Sequence, residues 1–374
     1  MTEKPLHIAH VLAPAAVGGL ETVVRSLALG HASMGHSVDL IAVLDSPSNR
    51  FVEEARDTGI RVHVVESPAR SIQPERRGVR DFLTRNNVDV LHSHGYRSDI
   101  LNLGIARQLG VPSVTTLHGF SATDRKGRMY EWLQLRGARR ASAIVAVSTN
   151  VADRVIASGA RRESVHLIRN ATPPTSTPLS PEVARTQLGL GPAHHIGWIG
   201  RLSAEKGPDV MVDAMRHLTD LPVTLSFIGD GPDLASLKRQ ADAAGVASRV
   251  IFHGLTRDAA SLIRGFDVIA LSSRTEGTPM VVLEAMAARV PIVAPRVGGI
   301  PDMLSATEAL LVDPEDPIAL ASAIRGTLSD PGASAARVMR AHERMVADFD
   351  LHTWLVRYES LYRKIQRSER GHSA

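Results

Sequence analysis

Short apolar runs alternate with helix-length amphipathic stretches along this chain, and the alternation runs through twice. The first pass has strand-like runs at Leu6–Leu12, Val38–Leu44, Val62–Val65, Val88–His92, Val114–His118, Ile144–Val147 and Val165–Ile168. Between them, residues such as Leu20, Val24 and Leu27 recur at i, i+4, i+7, which is one face of a helix. Alternation of this kind predicts βαβ units and a mainly parallel sheet. The stretch from Ala171 to Pro192 breaks the rhythm with five prolines and little apolar period. It then restarts at His195–Ile199, Val223–Ile228, Val250–Phe252, Val268–Leu271, Ile292–Ala294 and Leu310–Val312. The expected organisation is a doubly wound domain over 1–170, a linker over 171–193, a second doubly wound domain over 194–350 and a terminal helix over 351–374. In that helix Trp354, Leu355, Tyr358, Leu361 and Tyr362 share a stripe, which reads as core packing.

Composition narrows the chemistry. The chain of 374 residues holds no cysteine, which excludes disulfides, thiolate metal sites, cysteine nucleophiles and iron–sulfur clusters. Aromatic residues are only 4%, too few for a stacking surface that binds nucleic acid or glycan as its main theme. The net charge of +4 is far from that of a dedicated nucleic-acid binder, and suits a nucleotide or an anionic membrane surface. No apolar run reaches the ~18 residues that cross a bilayer. Val11–Leu20 contains Pro14, Gly18 and Gly19, so it reads as strand plus loop rather than a leader, and the expected address is the cytoplasm, with peripheral contact at an anionic membrane as a further expectation. The cations behind that expectation are Arg125, Lys126 and Arg128 before a helix and Arg136, Arg139 and Arg140 at its end.

Candidate chemistry sits where strands end. Gly18 and Gly19 follow the first strand and open a helix, a place where backbone approaches a phosphate. The spacing is not G-x-G-x-x-G, which weighs against a nicotinamide dehydrogenase, and a plain tight turn is equally compatible with it. Arg201 and Lys206 follow the strand that ends at Gly200, and two cations there suit a diphosphate. In the run Thr275–Ala287, Thr278 is the expected N-cap and Pro279 the first helical residue. The N–H groups around Gly277, Thr278, Met280 and Val281 would then face an anion. Glu276 falls just outside this helix and Glu284 inside it, where a carboxylate can accept ribose hydroxyls; a surface acid and a salt-bridge partner are the alternatives. His118 ends a strand and can hydrogen-bond a substrate or pack as a structural histidine. His92 and His94 have a spacing a metal could use, but no third ligand is placed by the sequence, so no metal site is expected. Asp348–Phe–Asp350 lies away from any strand end and reads as a helix stop and cap.

Taken in order, Gly18–Gly19, Gly200–Arg–Leu–x3–Lys–Gly207, Gly229–Asp–Gly–Pro232, Glu276-x7-Glu284, Pro291–Ile–Val–Ala294 and Gly298–Gly–Ile–Pro–Asp302 resemble the retaining GT-B glycosyltransferases of family four. The resemblance covers essentially the whole chain. It implies an α/β GT-B fold, two Rossmann-like domains facing a central cleft, with the last helix crossing back to the first domain. It implies that Glu284 binds the donor ribose, that Glu276 lies near the donor sugar, and that Arg201 and Lys206 hold the diphosphate. It further implies that Gly18–Gly19 closes on the phosphates, that His118 lies near the transferred sugar and that Leu255 marks a loop meeting the base. The implied reaction is transfer of a hexose from a nucleoside-diphosphate sugar, UDP favoured over GDP, to a glycan, lipid-linked or small-molecule acceptor in cell-surface polysaccharide or glycolipid synthesis. No cofactor, no metal and no nucleic acid are expected. One departure is that Asn170 is followed by Ala–Thr–Pro, where the family often carries an Asn–Gly–Val–Asp-like run. The rival readings are an epimerase on the same fold, which would turn over donor without acceptor, and a non-catalytic nucleotide-sugar-binding module.

Overall fold

The computed structural model describes residues 4–15, 18–46, 48–120, 122, 125–171, 178–256 and 258–372. It divides into two compact units, residues 1–173 together with 351–374, and residues 174–350.

Each unit is one parallel sheet with helices on its faces. The first has seven strands in the order β3-β2-β1-β4-β5-β6-β7. These are β1 (His7–Leu12), β2 (Ser37–Leu44), β3 (Arg61–Glu66), β4 (Val90–His94), β5 (Ser113–Leu117), β6 (Ala143–Ala146) and β7 (Val165–Leu167). The second has six, in the order β10-β9-β8-β11-β12-β13. These are β8 (His194–Ile199), β9 (Val223–Ile228), β10 (Val250–Gly254), β11 (Val268–Ala270), β12 (Ile292–Pro295) and β13 (Leu310–Val312). The strand order reverses between β1 and β4 in the first sheet and between β8 and β11 in the second. Reversal points leave a crevice outside the carboxyl ends of the strands, the usual ligand position of this architecture.

Four local features differ from the sequence reading. β4 runs to His94 rather than stopping at His92, because its pairing with β1 carries the register from Ile8↔Val90 to Leu12↔His94. β5 stops at Leu117, so His118 is the first residue beyond it. The stretch expected as linker holds the Pro181–Leu188 helix, with the Ser180 hydroxyl accepting from the Val183 N–H and Gly189 ending it in the left-handed region. Ala184 and Leu188 of that helix are buried in the core of the second unit, and the Leu179 N–H donates to the Ser261 carbonyl. Two apolar residues four apart among prolines are too little pattern to reveal such a helix without its packing partner. Finally, the helix after Thr278 spans Met280–Ala288, with Pro279 as its N-cap and no side-chain cap bond. Pro279 has a helical φ of −67° but an extended ψ of 120°, so Thr278 is not the cap and the helix begins one residue after the expected start.

The terminal helix, Leu351–His372, packs on the first unit. Trp354, Leu355, Tyr358, Leu361 and Tyr362 are all buried. Burying a large apolar side chain contributes roughly 1.5–3 kcal/mol, so this stripe is a substantial part of the unit's stability. Gly30 lies under it: a Cβ there would come within 2.4 Å of Leu355 Cδ1. Asp348 ends the preceding helix and Asp350 precedes this one, with Phe349 buried between them.

Candidate functional site

The second unit concentrates charge where its sheet reverses. After β8 the chain makes a tight loop carrying Arg201 and Lys206; after β11 it makes a longer one carrying Ser273, Arg274 and Glu276. Lys206 donates to both carboxylate oxygens of Glu276 at 2.7 Å, and the Ser273 hydroxyl donates to Oε1 at 2.7 Å. The Glu276 carboxylate is nearly buried, its side chain 6% exposed, while Lys206 is at 30%. Burial with two donors holds the carboxylate in one orientation. Arg201 is exposed and has no ion pair among the described residues.

Neighbouring groups fix the loop that presents Lys206. Arg274 reaches Asp209 through both terminal nitrogens, at 2.9 and 2.7 Å, and donates to the Ala204 carbonyl. The Trp198 indole donates to the Ser272 hydroxyl, which donates to the Gly207 carbonyl. Three motif glycines allow close backbone packing. A Cβ on Gly229 would lie 1.9 Å from the Gly200 carbonyl oxygen, and one on Gly231 would lie 2.2 Å from that of Leu202. At Gly298, φ is +53° and a Cβ would sit 1.9 Å from the Glu276 carbonyl oxygen. These glycines let the loops bearing Arg201 and Glu276 rest on backbone.

Met280 and Val281 begin the next helix, so their N–H groups precede any carbonyl the helix could offer them. Gly277 and Thr278 are buried just before it. Glu284 is the helix's fifth residue; burial, with Asp258 nearby, pushes its carboxyl up to about 7. Glu284 is half-buried and has no salt bridge among the described residues, a position where a carboxyl is costly unless a ligand satisfies it. Leu255 is 53% exposed directly after β10. Thus Arg201, Lys206, Leu255, Glu276 and the Met280 helix start all lie beyond the carboxyl edge of one sheet, and Lys206 and Glu276 touch.

In the first unit the reversal point is furnished by histidines. His10 on β1 and His92 on β4 are register partners, and His94 lies two residues on, so the three rings share one face of the sheet. His10 Nδ1 lies 3.1 Å from His94 Nε2, and His94 Nδ1 lies 3.4 Å from His118 Nε2. His92 Nδ1 is 2.7 Å from the Tyr362 hydroxyl and His92 Nε2 is 2.8 Å from Thr116 Oγ1. The sequence named His92, His94 and His118 and missed His10; only the pairing of β1 with β4 brings it in. His10, His92 and His94 each place a ring nitrogen within 4.8 Å of the others, a spacing a metal ion can use. Both nitrogens of His92 are, however, already engaged by Tyr362 and Thr116, while His10 and His94 hydrogen-bond each other.

Gly18 is the N-cap of the Gly19–Ser33 helix, and a Cβ on it would lie within 2.4 Å of Glu21 Oε2. Glu21 accepts from the Ala15 N–H at 2.8 Å, tying the loop to the helix; Ala16 and Val17 lie outside the described residues. Burial raises the Glu21 carboxyl. A cavity of ≈ 190 Å³ opens at this edge, lined by Pro14, Asp45, Arg70, His94, Tyr96 and Arg97 among others. A larger groove, ≈ 600 Å³, runs along β3 and the Ile72–Arg85 helix, away from every candidate residue.

Fold and charge placement define an α/β protein of the two-Rossmann type with its charged loops at one sheet edge. The sequence matches the family model described as Glycosyltransferase Family 4 over residues 17–175 and that described as Glycosyl transferases group 1 over residues 193–330. The chain belongs to the GT-B glycosyltransferases of family four. It is 26% identical to the glycogen synthase of Mycobacterium tuberculosis (strain CDC 1551 / Oshkosh), over 96% of this chain and 94% of the relative. It is 29% identical to a D-inositol 3-phosphate glycosyltransferase of Arthrobacter sp. (strain FB24), over 84% of this chain and 82% of the relative. In three dimensions it resembles Anabaena HepE, solved with UDP and glucose, at a TM-score of 0.85 and 22% identity over 95% of this chain and 99% of that one. The sucrose-phosphate synthase of Thermosynechococcus elongatus superposes equally well, with a TM-score of 0.85 and 21% identity over 97% of this chain and 100% of that one. No helix among the described residues is long and apolar enough to cross a membrane.

Proposed function

We propose that this glycosyltransferase moves a hexose from a nucleoside-diphosphate sugar with retention at the anomeric carbon, and that it does so without a divalent metal. The observation that carries the reading is the Lys206–Glu276 pair at the reversal of the second sheet, beside the free start of the Met280–Ala288 helix. Departure of the nucleoside diphosphate puts negative charge on the β-phosphate. Fixed positive groups that stabilise this charge are usually the largest catalytic contribution. Lys206, Arg201 and the N–H groups of Gly277, Thr278, Met280 and Val281 fill that role, with Glu284 on the ribose and the Leu255 loop on the base. Glu276 and His118 take the sugar, and the Gly18–Gly19 loop takes the phosphates. The bond from C1 to the phosphate oxygen breaks, the bond from C1 to the acceptor oxygen forms, and a phosphate oxygen on the leaving face takes the acceptor proton. A UDP donor is favoured over GDP; the HepE structures with UDP and UDP-glucose support this.

The acceptor class proposed is a glycan, lipid-linked sugar or small molecule of cell-surface polysaccharide or glycolipid synthesis, handled in the cytoplasm. Peripheral contact with an anionic membrane is part of the proposal. The Arg125–Ala138 helix and the turn after it expose Arg125, Lys126, Arg128, Met129, Trp132, Arg136, Arg139 and Arg140. The one acid in that stretch, Glu131, is turned to the Ala122 N–H and Arg154. A basic face with a tryptophan at its centre is the pattern of an interfacial helix.

A calorimetric screen of UDP-, GDP- and ADP-sugars, followed by transfer to mixed acceptors in EDTA, tests the reading. Binding of a UDP-sugar and an α-linked product from an α-linked donor are expected. Inversion, or activity lost in EDTA and restored by magnesium or manganese, refutes the respective part. Donor turnover with no acceptor needed points instead to an epimerase, and binding with no turnover to a non-catalytic module.

A further inference from the structure

We infer that His94 and His10 are positioning residues that hold His118 in the tautomer with its proton on Nδ1, so that His118 meets the transferred sugar as a hydrogen-bond donor. The inference rests on the proposed contact between His118 and that sugar.

Three rings in series share their protons along one chain of contacts. His10 Nδ1 faces His94 Nε2 at 3.1 Å, and His94 Nδ1 faces His118 Nε2 at 3.4 Å. All three rings are neutral at physiological pH. Burial lowers His10 to about 3 and His118 to about 4, and burial with the neighbouring histidines holds His94 well below its ordinary value. A neutral imidazole has one donor and one acceptor nitrogen. Each link therefore has one proton, and the chain has only two polarities. In the outward polarity His10 Nδ1–H donates to His94 Nε2, His94 Nδ1–H donates to His118 Nε2, and His118 Nδ1–H remains for a ligand. In the inward polarity every proton is reversed and His118 offers a bare nitrogen.

The far end of the chain decides between them. His10 Nε2 is buried and has no hydrogen-bond partner. The inward polarity would put a proton on that atom, leaving a buried N–H unpaired. The outward polarity leaves a lone pair there. Buried donors without partners are the rarer and costlier defect. His92 packs with its ring centroid 4.0 Å from that of His94, but its two nitrogens are taken by Tyr362 and Thr116, so it does not compete for the chain. The orphaned atom on His10 thus sets the direction of every proton up to His118. The same polarity places a proton on Nδ1 and a donated hydrogen bond on Nε2, so neutral His118 has no nitrogen left to act as a base.

Nitrogen NMR of the full-length protein with 15N-labelled histidine tests this. Sixteen histidines give signals, and those of His118 are the ones lost in His118→Ala. In the wild type His118 is expected with Nδ1 protonated and Nε2 bare. His10→Leu removes the donor to His94 and should give a mixed or reversed tautomer at His118. His10→Asn places an amide N–H near the position of Nδ1 and should restore the wild-type signal. Turnover should follow: kcat falls roughly tenfold in His10→Leu with the donor KM unchanged, and recovers in His10→Asn. A wild-type His118 protonated on Nε2 overturns the inference, even if the leucine variant fails to fold. So does an unchanged tautomer in a folded His10→Leu. Full transfer activity in His118→Ala would instead remove the sugar contact and overturn the donor role, while the tautomer itself stands or falls on the wild-type spectrum.

Discussion

Where its sheet reverses, the first unit sets neutral rings; where its own sheet reverses, the second unit sets ions. His10, His92 and His94 are all buried, and each hydrogen-bonds through a ring nitrogen. They sit on strands, where the sheet register fixes them. Lys206 and Glu276 sit on loops, and glycines at 207, 229, 231 and 298 let those loops pack against backbone. The difference follows from the load each side is proposed to bear. Neutral groups can be buried at little cost if they pair with one another, so a strand-borne cluster suits the uncharged sugar. Charged groups must stay near water or near a counter-ion, so loops that leave Arg201 exposed and Lys206 partly so suit the proposed diphosphate site.

The largest expected effect is at Lys206. Lys206→Ala removes one of the two fixed cations and should lower the transfer rate by roughly 100- to 1,000-fold while leaving a folded protein. Initial rates beside a thermal melt check this; a rate within a few-fold of wild type would place the charge stabilisation elsewhere. On the neutral side, His118→Ala should lower kcat by roughly 100-fold. Its affinity for nucleotide should stay near wild type, since the ring is assigned to the sugar alone; equal loss of nucleotide binding would blur the division between the units.

Glu284 sharpens the contrast through pH. Its folded-state value of about 7 lies above the ordinary 4.5. The folded state therefore holds this proton more tightly than the unfolded chain. Stability from it is fully present below about 4.5, is lost as pH rises to about 7, and stays lost above. Glu284→Gln removes the penalty, so the ligand-free variant should be more stable than wild type at pH 8, by about 1–3 kcal/mol, and equal to it at pH 4. Nucleotide affinity at pH 8 should fall at least about tenfold in the same variant. Denaturant melts and calorimetry at the two pH values measure both; a variant that loses stability at pH 8 contradicts the assignment.

The smallest expected effect is at the Arg125–Ala138 helix. Each basic residue near an anionic surface contributes about 1 kcal/mol, so Arg128→Ala should weaken binding to anionic vesicles roughly fivefold and leave neutral vesicles unaffected. Vesicle flotation with no dependence on anionic lipid rejects the membrane contact.

Much of the second unit was legible in the sequence because its chemistry is local. Arg201, Lys206, Glu276 and Glu284 lie in short motifs beside strand ends, and loops after parallel strands meet at one sheet edge by construction. Gly229, Gly231 and Gly298 stood in the sequence only as motif residues, and the structure shows that each leaves room for a neighbouring carbonyl. The histidine cluster was legible only in part. His94 stood outside the expected strand because a polar residue looked like a strand end, and His10 was separated from it by more than eighty residues of sequence.

By itself the sequence determined the two parallel sheets, since strand-length apolar runs separated by amphipathic helices can be buried in few other ways, and it named the ions of the second unit. Tertiary structure decided which side chains meet. It placed Lys206 on Glu276, packed Ala184 and Leu188 of the Pro181–Leu188 helix into the second core, and joined His10 to His94 and His118. The physical reason is that periodicity depends only on neighbours along the chain. A hydrogen bond depends on register between strands, and register is fixed by the packing of the whole sheet.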